Sequence, residues 1–383
     1  MHYLNIATLV TVIAFCSTFA QAQPIKPNPD PEALQIIAEL DLTESPTPVS
    51  DNPGWNPRRI VVSVPAMMST ILPGYEQHLR MLAGTAELVV DTSANLQPDD
   101  AMLVGADAVI GICTLPLIRD ASKSLLWVHN YTVGMDRCAD LSPDQIEGRV
   151  FTNNKRLSGP TIAEHTIAMM MSLARGLPAY QRAQSAGKWD RALAEQVSFG
   201  EIEGKTMLVV GLGGIGTQIA WRAHGLGMRV IAVRNSSSDG PDYVEHVGMQ
   251  DELLELAAQA NVIVNALPLT DETRGLFNEE FFASTKPGAM FISVGRGEST
   301  VTADLVKALQ SGQLYGAGLD VMDPEPLPAD SPLWQLDNVI ITPHVSGAGM
   351  DNIRRTAIIA AENLRRYMAG EPLLNIVNMQ AGY

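Results

Sequence analysis

The sequence predicts an α/β fold class with doubly wound parallel sheets, and the main evidence is an alternating pattern. From Ile60 onward, short runs rich in β-branched residues alternate with stretches of helical length, and glycine and proline separate them. This alternation is typical of parallel strands covered by helices. The chain of 383 residues is also long enough for about two or three domains with buried cores.

Two series of strands are predicted. The first comprises residues 60–64, 87–90, 108–112, 125–129 and 149–152, and a long helix is expected after it at about 162–175. The second comprises residues 207–210, 229–233, 262–266, 289–294, 315–319 and 339–341. Six parallel strands with helices between them are typical of a dinucleotide-binding domain.

The N-terminus carries a different pattern. Residues 1–22 contain no Lys, Arg, Asp or Glu, are apolar or small from Leu4 to Ala20, and end in Ala20-Gln21-Ala22. This arrangement is typical of a signal peptide cleaved after Ala22, which predicts an exported or periplasmic protein. The alternatives are an uncleaved membrane anchor, because the apolar stretch almost reaches the roughly 20 residues that span a bilayer, and a cytoplasmic location.

Residues 23–54 are interpreted as a proline-rich leader. Repeated prolines interrupt any long element, but one short helix is predicted at 31–42, where a proline stands at the start and apolar residues follow at helical spacing.

Composition excludes several classes of function. The chain has 26 Lys and Arg against 42 Asp and Glu, a formal net charge of −16, so nucleic acid is not expected as a partner. The three cysteines rule out a disulfide scaffold. Cys113 and Cys138 could pair in an exported protein, but two free thiols are the favoured interpretation. The histidines show no spacing typical of metal ligands, so no metal site is predicted.

A glycine-rich motif predicts the dinucleotide site. It consists of Gly211, Leu212, Gly213, Gly214, Ile215 and Gly216, follows an apolar strand and opens a helix, which is the context that confirms G-x-G-x-x-G. The glycines allow close approach of the backbone to a pyrophosphate, which the helix N-terminus can bind through free N–H groups.

The residues after the next strand favour NADP over NAD. Arg234, Asn235 and Ser236 stand where NAD sites have an acidic residue, and no Asp or Glu occurs at 229–238. An arginine beside hydroxyl groups suits a 2′-phosphate. The alternative is a solvated Arg234 beside an NAD site.

Arg296, Glu325 and His344 are candidate catalytic residues because each follows a strand of the second series. Open α/β sheets bind ligands beyond the carboxyl ends of their strands. Arginine can bind a carboxylate with two hydrogen bonds, histidine can transfer a proton near neutral pH, and glutamate can hold that histidine. The combination suits a 2-keto acid.

With these motifs, and with Leu267-Pro268-Leu269-Thr270 and the Leu-Asp-Val run at Asp320, the chain resembles the D-2-hydroxyacid dehydrogenase family from about Ile60 to Val377. The resemblance implies a Rossmann-type coenzyme domain at 158–344. It also implies a flavodoxin-like substrate domain at 55–157 and 345–383, a cleft between the two domains, and a homodimer.

The resemblance further implies the reaction and the residue roles. Hydride passes between NAD(P)H and a small 2-keto acid of the glyoxylate or hydroxypyruvate type. Arg296 binds the substrate, His344 is the acid/base and Glu325 its partner, and Asp320 faces the nicotinamide carboxamide. The cofactor site includes Leu267, Pro268, Thr270 and Thr273, and the substrate pocket includes Leu115, Thr132, Val133 and Gly134. A non-catalytic, dinucleotide-dependent binding or scaffold protein on the same fold is the alternative.

Overall fold

Two parallel β-sheets organise the chain, one of five strands and one of seven. The computed structural model describes residues 27–120, 123–138 and 140–379. The predicted signal peptide lies outside these residues, and none of the helices in the described ranges is long and apolar enough to cross a membrane. The predicted α/β class with two parallel-sheet domains is confirmed.

The five-stranded sheet has the order β2-β1-β3-β4-β5, which is the flavodoxin-like order. Its strands are β1 (Arg59–Ser63), β2 (Glu87–Asp91), β3 (Ala108–Gly111), β4 (Trp127–Asn130) and β5 (Val150–Asn153). The helices in this part of the chain are α1 (Pro31–Leu40), α2 (Ala66–Ile71), α3 (Tyr75–Ala83), α4 (Asp100–Leu103), α5 (Leu115–Asp120) and α6 (Pro143–Ile146).

The seven-stranded sheet has the order β12-β11-β10-β9-β6-β7-β8, and the chain reverses direction across the sheet beside β6. Its strands are β6 (Thr206–Val210), β7 (Arg229–Val233), β8 (His246–Gly248), β9 (Val262–Asn265), β10 (Ala289–Ser293), β11 (Leu314–Leu319) and β12 (Val339–Ile341). Its helices are α7 (Gly159–Ala174), α8 (Leu177–Ser185), α9 (Gly214–Gly225), α10 (Leu253–Ala257), α11 (Glu279–Ser284) and α12 (Thr302–Gln310).

The prediction of six strands in this sheet missed β8. This strand has only three residues and lies at the sheet edge, where one apolar side chain, Val247, is too little to produce a recognisable run. The central strands were easier to find because both of their faces are covered. All five residues of β10 are buried, as expected for a parallel strand between two layers of helices.

A last helix, α13 (Met350–Ala369), returns to the five-stranded sheet. Its Tyr367 is fully buried and stacks on Trp127 of β4, with ring centroids 4.9 Å apart. Glu362 binds both Arg365 and Arg366 in a buried cluster of charges, so each buried ion has a partner.

The leader packs against α13. The helix predicted at 31–42 forms as α1, and its N-cap Asp30 accepts a hydrogen bond from Glu32 N at 2.8 Å. Ala33 and Ile36 are buried, and Glu32 forms a two-point ion pair with Arg354 of α13. The described part of the leader is therefore an ordered element of the half of the molecule that contains the five-stranded sheet.

Candidate active site

The predicted site residues follow the carboxyl ends of strands in both sheets. This is the edge at which open parallel sheets bind ligands. In the larger sheet, Gly211 follows β6, Leu267 follows β9, Arg296 follows β10, Asp320 follows β11 and His344 follows β12; in the smaller sheet, Leu115 and Thr132 follow β3 and β4.

His344 and Glu325 form a hydrogen-bonded pair. Nδ1 of His344 lies 2.8 Å from Oε2 of Glu325, and Oε1 of Glu325 accepts from Met322 N at 3.0 Å. The Glu325 carboxylate is therefore held both by its own loop and by the loop that follows β12. Because Nδ1 faces Glu325, Nε2 is the ring nitrogen left for proton transfer, and the side chain is 48% exposed.

Asp320 anchors the loop that carries His344. Its carboxylate is fully buried and accepts from Thr342 Oγ1 at 2.6 Å and from the backbone N–H groups of Val345 and Ser346 at 2.9 Å. Burial alone would raise the pKa of Asp320, but these hydrogen bonds outweigh burial and lower it. The resemblance implies contact with the nicotinamide carboxamide; the contacts in the structure are those of an anchor for residues 342–346.

Arg296 pairs with Asp136 across the two sheets. Nη2 lies 2.9 Å from Oδ2 and Nε lies 3.3 Å from Oδ1, while Nη1 donates to Gly295 O at 2.9 Å. Burial would raise the pKa of Asp136, but the hydrogen bond and the charge of Arg296 lower it. A Cβ on Gly134 would meet both Arg296 Nη2 and Asp136 Oδ2, so the pair requires glycine at 134.

Asn130 holds the predicted substrate loop and was missed in the sequence. It is 2% exposed, and its Nδ2 donates to Thr132 Oγ1 at 2.7 Å and to Gly134 O at 3.0 Å. Its Oδ1 accepts from Cys113 N at 3.0 Å. The available signal was a polar residue directly after the apolar run predicted at 125–129.

The same loop presents backbone donors. Asn153 Nδ2 donates to Val133 O at 2.6 Å, which adds to the contacts of Asn130 with the loop. Among the residues that the structure describes, the N–H groups of Val133 and Gly134 donate to no protein acceptor. A small carboxylate is the kind of ligand that such a pair of free N–H groups can bind.

Cys113 and Cys138 form a disulfide, so the interpretation as two free thiols is wrong. Their Cα atoms are 5.9 Å apart. They are 25 residues apart in sequence, but β3 and β4 are neighbours and their carboxyl ends bring the following loops together. The disulfide joins the segment that precedes Leu115 to the segment that follows Thr132–Gly134, and both cysteines are buried.

The glycine-rich loop has the geometry of a phosphate-binding turn. Gly211 has φ +100°, and a Cβ there would lie 2.9 Å from Ala266 O. Gly213 caps α9, and a Cβ there would have nothing within 4 Å, so the loop surface is open beside the first turn of the helix. Gly214, Ile215 and Gly216 form that turn, whose free N–H groups fit the pyrophosphate of a dinucleotide.

The other predicted cofactor residues line the neighbouring loops. Arg234 Nε donates to Ser236 Oγ and Nη1 donates to Asp239 O, both at 3.1 Å. No carboxylate within the described ranges pairs with Arg234, and Asn235 and Ser236 are exposed. The guanidinium therefore keeps its positive charge uncompensated beside open hydroxyl groups, an arrangement that suits an anion.

The loop after β9 is braced from within. Thr273 Oγ1 donates to Pro268 O and accepts from Thr270 N, both at 2.8 Å. Leu267 N donates to the side chain of Asn265 at 3.1 Å. Asn265 is fully buried and was not singled out in the sequence, because it ends an apolar run and resembles any strand terminus.

The geometry agrees with comparisons to known proteins. Residues 167–346 match the family model described as D-isomer specific 2-hydroxyacid dehydrogenase, NAD binding domain. A glyoxylate reductase of Korarchaeum cryptofilum is 33% identical over 281 residues, which cover 72% of this chain and 83% of that protein. The chain belongs to the D-2-hydroxyacid dehydrogenase family. It is therefore an NAD(P)-dependent oxidoreductase of small 2-hydroxy and 2-keto acids.

Solved structures agree with this assignment. A family protein from Aeromonas salmonicida is 31% identical with a TM-score of 0.71, covering 84% of this chain and 99% of that one. An NADPH-dependent glyoxylate/hydroxypyruvate reductase from Sinorhizobium meliloti, in complex with NADP and sulfate, is 27% identical with a TM-score of 0.69. That match covers 85% of this chain and 100% of the other. This chain is thus longer than both structures.

The strand beneath the substrate loop carries a buried histidine that makes stability depend on pH. His129 of β4 is fully buried, with Nδ1 2.9 Å from Thr152 Oγ1. Burial lowers the pKa of His129 from 6.5 to about 3, and the Asn154 side chain only partly offsets this. Between these values the unfolded chain binds a proton that the folded chain does not. Stability therefore falls as pH falls from 6.5 towards 3.

We expect the His129→Gln substitution to reduce this dependence, because an amide can contact Thr152 but does not titrate. The contribution of His129 approaches about 1.4 kcal/mol per pH unit below its unfolded pKa. Denaturant unfolding of both proteins at about pH 4 to pH 7 measures how the free energy of unfolding changes with pH. His224→Gln, at an exposed position, is the control. The prediction would be contradicted if the free energy of unfolding changed equally with pH in the wild-type protein and in His129→Gln.

Proposed function

We propose that the protein reduces a small 2-keto acid of the glyoxylate or hydroxypyruvate type, with NADPH as the favoured reductant and His344 as acid/base. The observation that carries the proposal is the placement of the His344–Glu325 and Arg296–Asp136 pairs at one edge shared by both sheets. The names of relatives such as the Korarchaeum glyoxylate reductase support the substrate class.

In this mechanism the bound dinucleotide supplies the hydride for the carbonyl carbon. Asp136 and Gly295 occupy three of the five guanidinium N–H groups of Arg296, which leaves two for the substrate. These stabilise the negative charge that develops on the carbonyl oxygen, and the N–H groups of Val133 and Gly134 hold the carboxylate. Nε2 of His344 donates the proton to that oxygen.

Glu325 makes this proton transfer effective. Its contact with Nδ1 orients the imidazole and leaves Nε2 as the ring nitrogen that can donate to the substrate oxygen. In the reverse direction the same Nε2 accepts the hydroxyl proton, so one residue serves both directions of the reaction.

We expect His344→Ala to lower kcat for glyoxylate about 10³-fold, the usual range for loss of a general acid. The dissociation constant for NADPH should stay nearly unchanged, because His344 lies after β12 and away from the glycine loop. Steady-state kinetics and fluorescence titration measure the two quantities.

His246→Ala is a matched control, since His246 also contacts a glutamate at 2.8 Å and is similarly exposed, but lies on the edge strand β8. Turnover by His344→Ala at the rate of the control would disprove the proposed acid/base role.

The proposed preference for NADPH rests on Arg234. Arg234→Gln should weaken NADPH binding roughly 10- to 100-fold, because a charge-assisted contact to the 2′-phosphate is lost, and leave NADH binding nearly unchanged. Arg229→Gln is the control, since Arg229 begins β7, the strand that precedes Arg234, and pairs with exposed Glu245. An equal loss for both cofactors would place Arg234 outside any 2′-phosphate site.

We also propose that the chain is exported and that cleavage occurs after Ala22. The Cys113–Cys138 disulfide supports this, because stable disulfides form mainly in oxidising compartments. Mass spectrometry of the protein from fractionated cells should find a periplasmic or secreted chain that begins at Gln23 with the disulfide intact. Full-length protein in the membrane fraction would favour the anchor, and cytoplasmic protein with free thiols would contradict export.

We infer a homodimer that is formed through the coenzyme-binding half. Large apolar side chains are exposed there, with Trp189 94% and Trp221 56% exposed. Such side chains are typical of protein interfaces. Sedimentation as a single chain at micromolar concentration would contradict this.

A further inference from the structure

Arg156 occupies an unusual place between the two halves of the molecule. It lies in the connection from β5 to α7 and has φ +72°, although it is not a glycine. Few arginines adopt this left-handed conformation, so the surroundings must hold it there. The next residue, Leu157, is fully buried in an apolar cluster with Ala33 and Ile36 of α1. The position of Arg156 is therefore fixed from its C-terminal side.

The Arg156 side chain lies on the glycine-rich loop. A Cβ added to Gly214 would lie 2.7 Å from Arg156 Cγ and 3.3 Å from Arg156 Cα. Arg156 thus fills the space that a side chain at 214 would need. Gly214 is the first residue of α9, where free N–H groups and the positive dipole end favour an anion.

The guanidinium can reach this anion-binding turn. Its central carbon is three bonds beyond Cγ, within about 4 Å of it in any rotamer. In the structure Nη1 instead contacts the C-terminal end of α1, with Asp41 Oδ2 at 2.8 Å and Leu40 O at 3.2 Å. The Asp41 side chain is 88% exposed and that of Arg156 is 35% exposed, so this ion pair is a weak one.

We propose that Arg156 is a cofactor-binding residue that contacts the pyrophosphate of the dinucleotide, and that Asp41 of the N-terminal segment competes for its guanidinium. This rests on the proposed use of NAD(P)H. A pyrophosphate carries two negative charges and is held at a helix N-terminus, so it is a stronger partner than one exposed carboxylate. Cofactor affinity is then set partly by Asp41 at the end of α1, which precedes the part of the chain that resembles the family.

The test is a set of dissociation constants for NADPH and NADH, measured by fluorescence titration on the full purified chain. Arg156→Asn removes the charge and keeps a residue that tolerates the left-handed conformation. It should weaken binding of both cofactors roughly tenfold, since both contain the pyrophosphate. Asp41→Asn, also at a left-handed position (φ 50°), should strengthen both roughly two- to threefold. The double variant should behave like Arg156→Asn.

Arg354→Gln is the control because it removes the Glu32–Arg354 ion pair that docks α1 on α13 without touching the glycine loop. It should leave both dissociation constants unchanged, and thermal unfolding of every variant verifies folding. Wild-type affinity in Arg156→Asn, or weaker binding in Asp41→Asn, would overturn the proposal. If only the preference for NADPH is wrong, the Arg234→Gln variant will show it and the Arg156 and Asp41 variants will still behave as expected. A wild-type protein that binds neither cofactor would overturn both proposals.

Discussion

The ion pair between Arg296 and Asp136 is the contact on which the geometry of the site depends, because it joins loops from different sheets. The two residues are 160 positions apart in sequence. Their side chains are 29% and 53% exposed, so solvent screens the attraction and the pair contributes at most about 1 kcal/mol. An attraction of this size favours the arrangement in which Asp136 lies against Arg296 without locking it.

The connections between the halves are more firmly held than the pair itself. In the connection that follows β12, buried Asp320 accepts hydrogen bonds from three residues around His344, so this loop is fixed to the end of β11. In the connection between β5 and α7, Leu157 is buried against α1. The proposed acid/base residue is therefore carried by the half that contains the seven-stranded sheet, while the proposed carboxylate-binding loop is held by Asn130 and the disulfide in the other half. In the proposed mechanism, the substrate must therefore contact both halves.

The sequence predicted the parts of this arrangement that depend on local pattern. Buried strands are continuous apolar runs, so β7 and β12 were located to the residue, and the short helix at Pro31 was found from its proline and its spacing. Contacts between distant segments have no local pattern. Three such contacts are the disulfide, the packing of α1 on α13 and the pairing of Asp136 with Arg296. They depend on the order of the strands in the sheets, which no single segment of sequence determines.

The acidic composition of the chain makes the placement of the cations near the cleft decisive. A body with a net charge of −16 repels anionic cofactors and keto acids at long range. Binding must therefore come from cations and helix-end N–H groups close to the cleft. Arg234 follows β7 and Arg296 follows β10 at the same edge of the sheet, and Arg156 lies against the turn after β6, between these two strands. Arg156 also contacts Leu40 and Asp41 at the end of α1, so the described part of the leader is linked to the glycine-rich loop through this arginine. Any processing that disturbs α1 would then change the charges around Arg156 beside the glycine-rich loop. The leader is therefore part of the proposed cofactor site and does not act only as a linker.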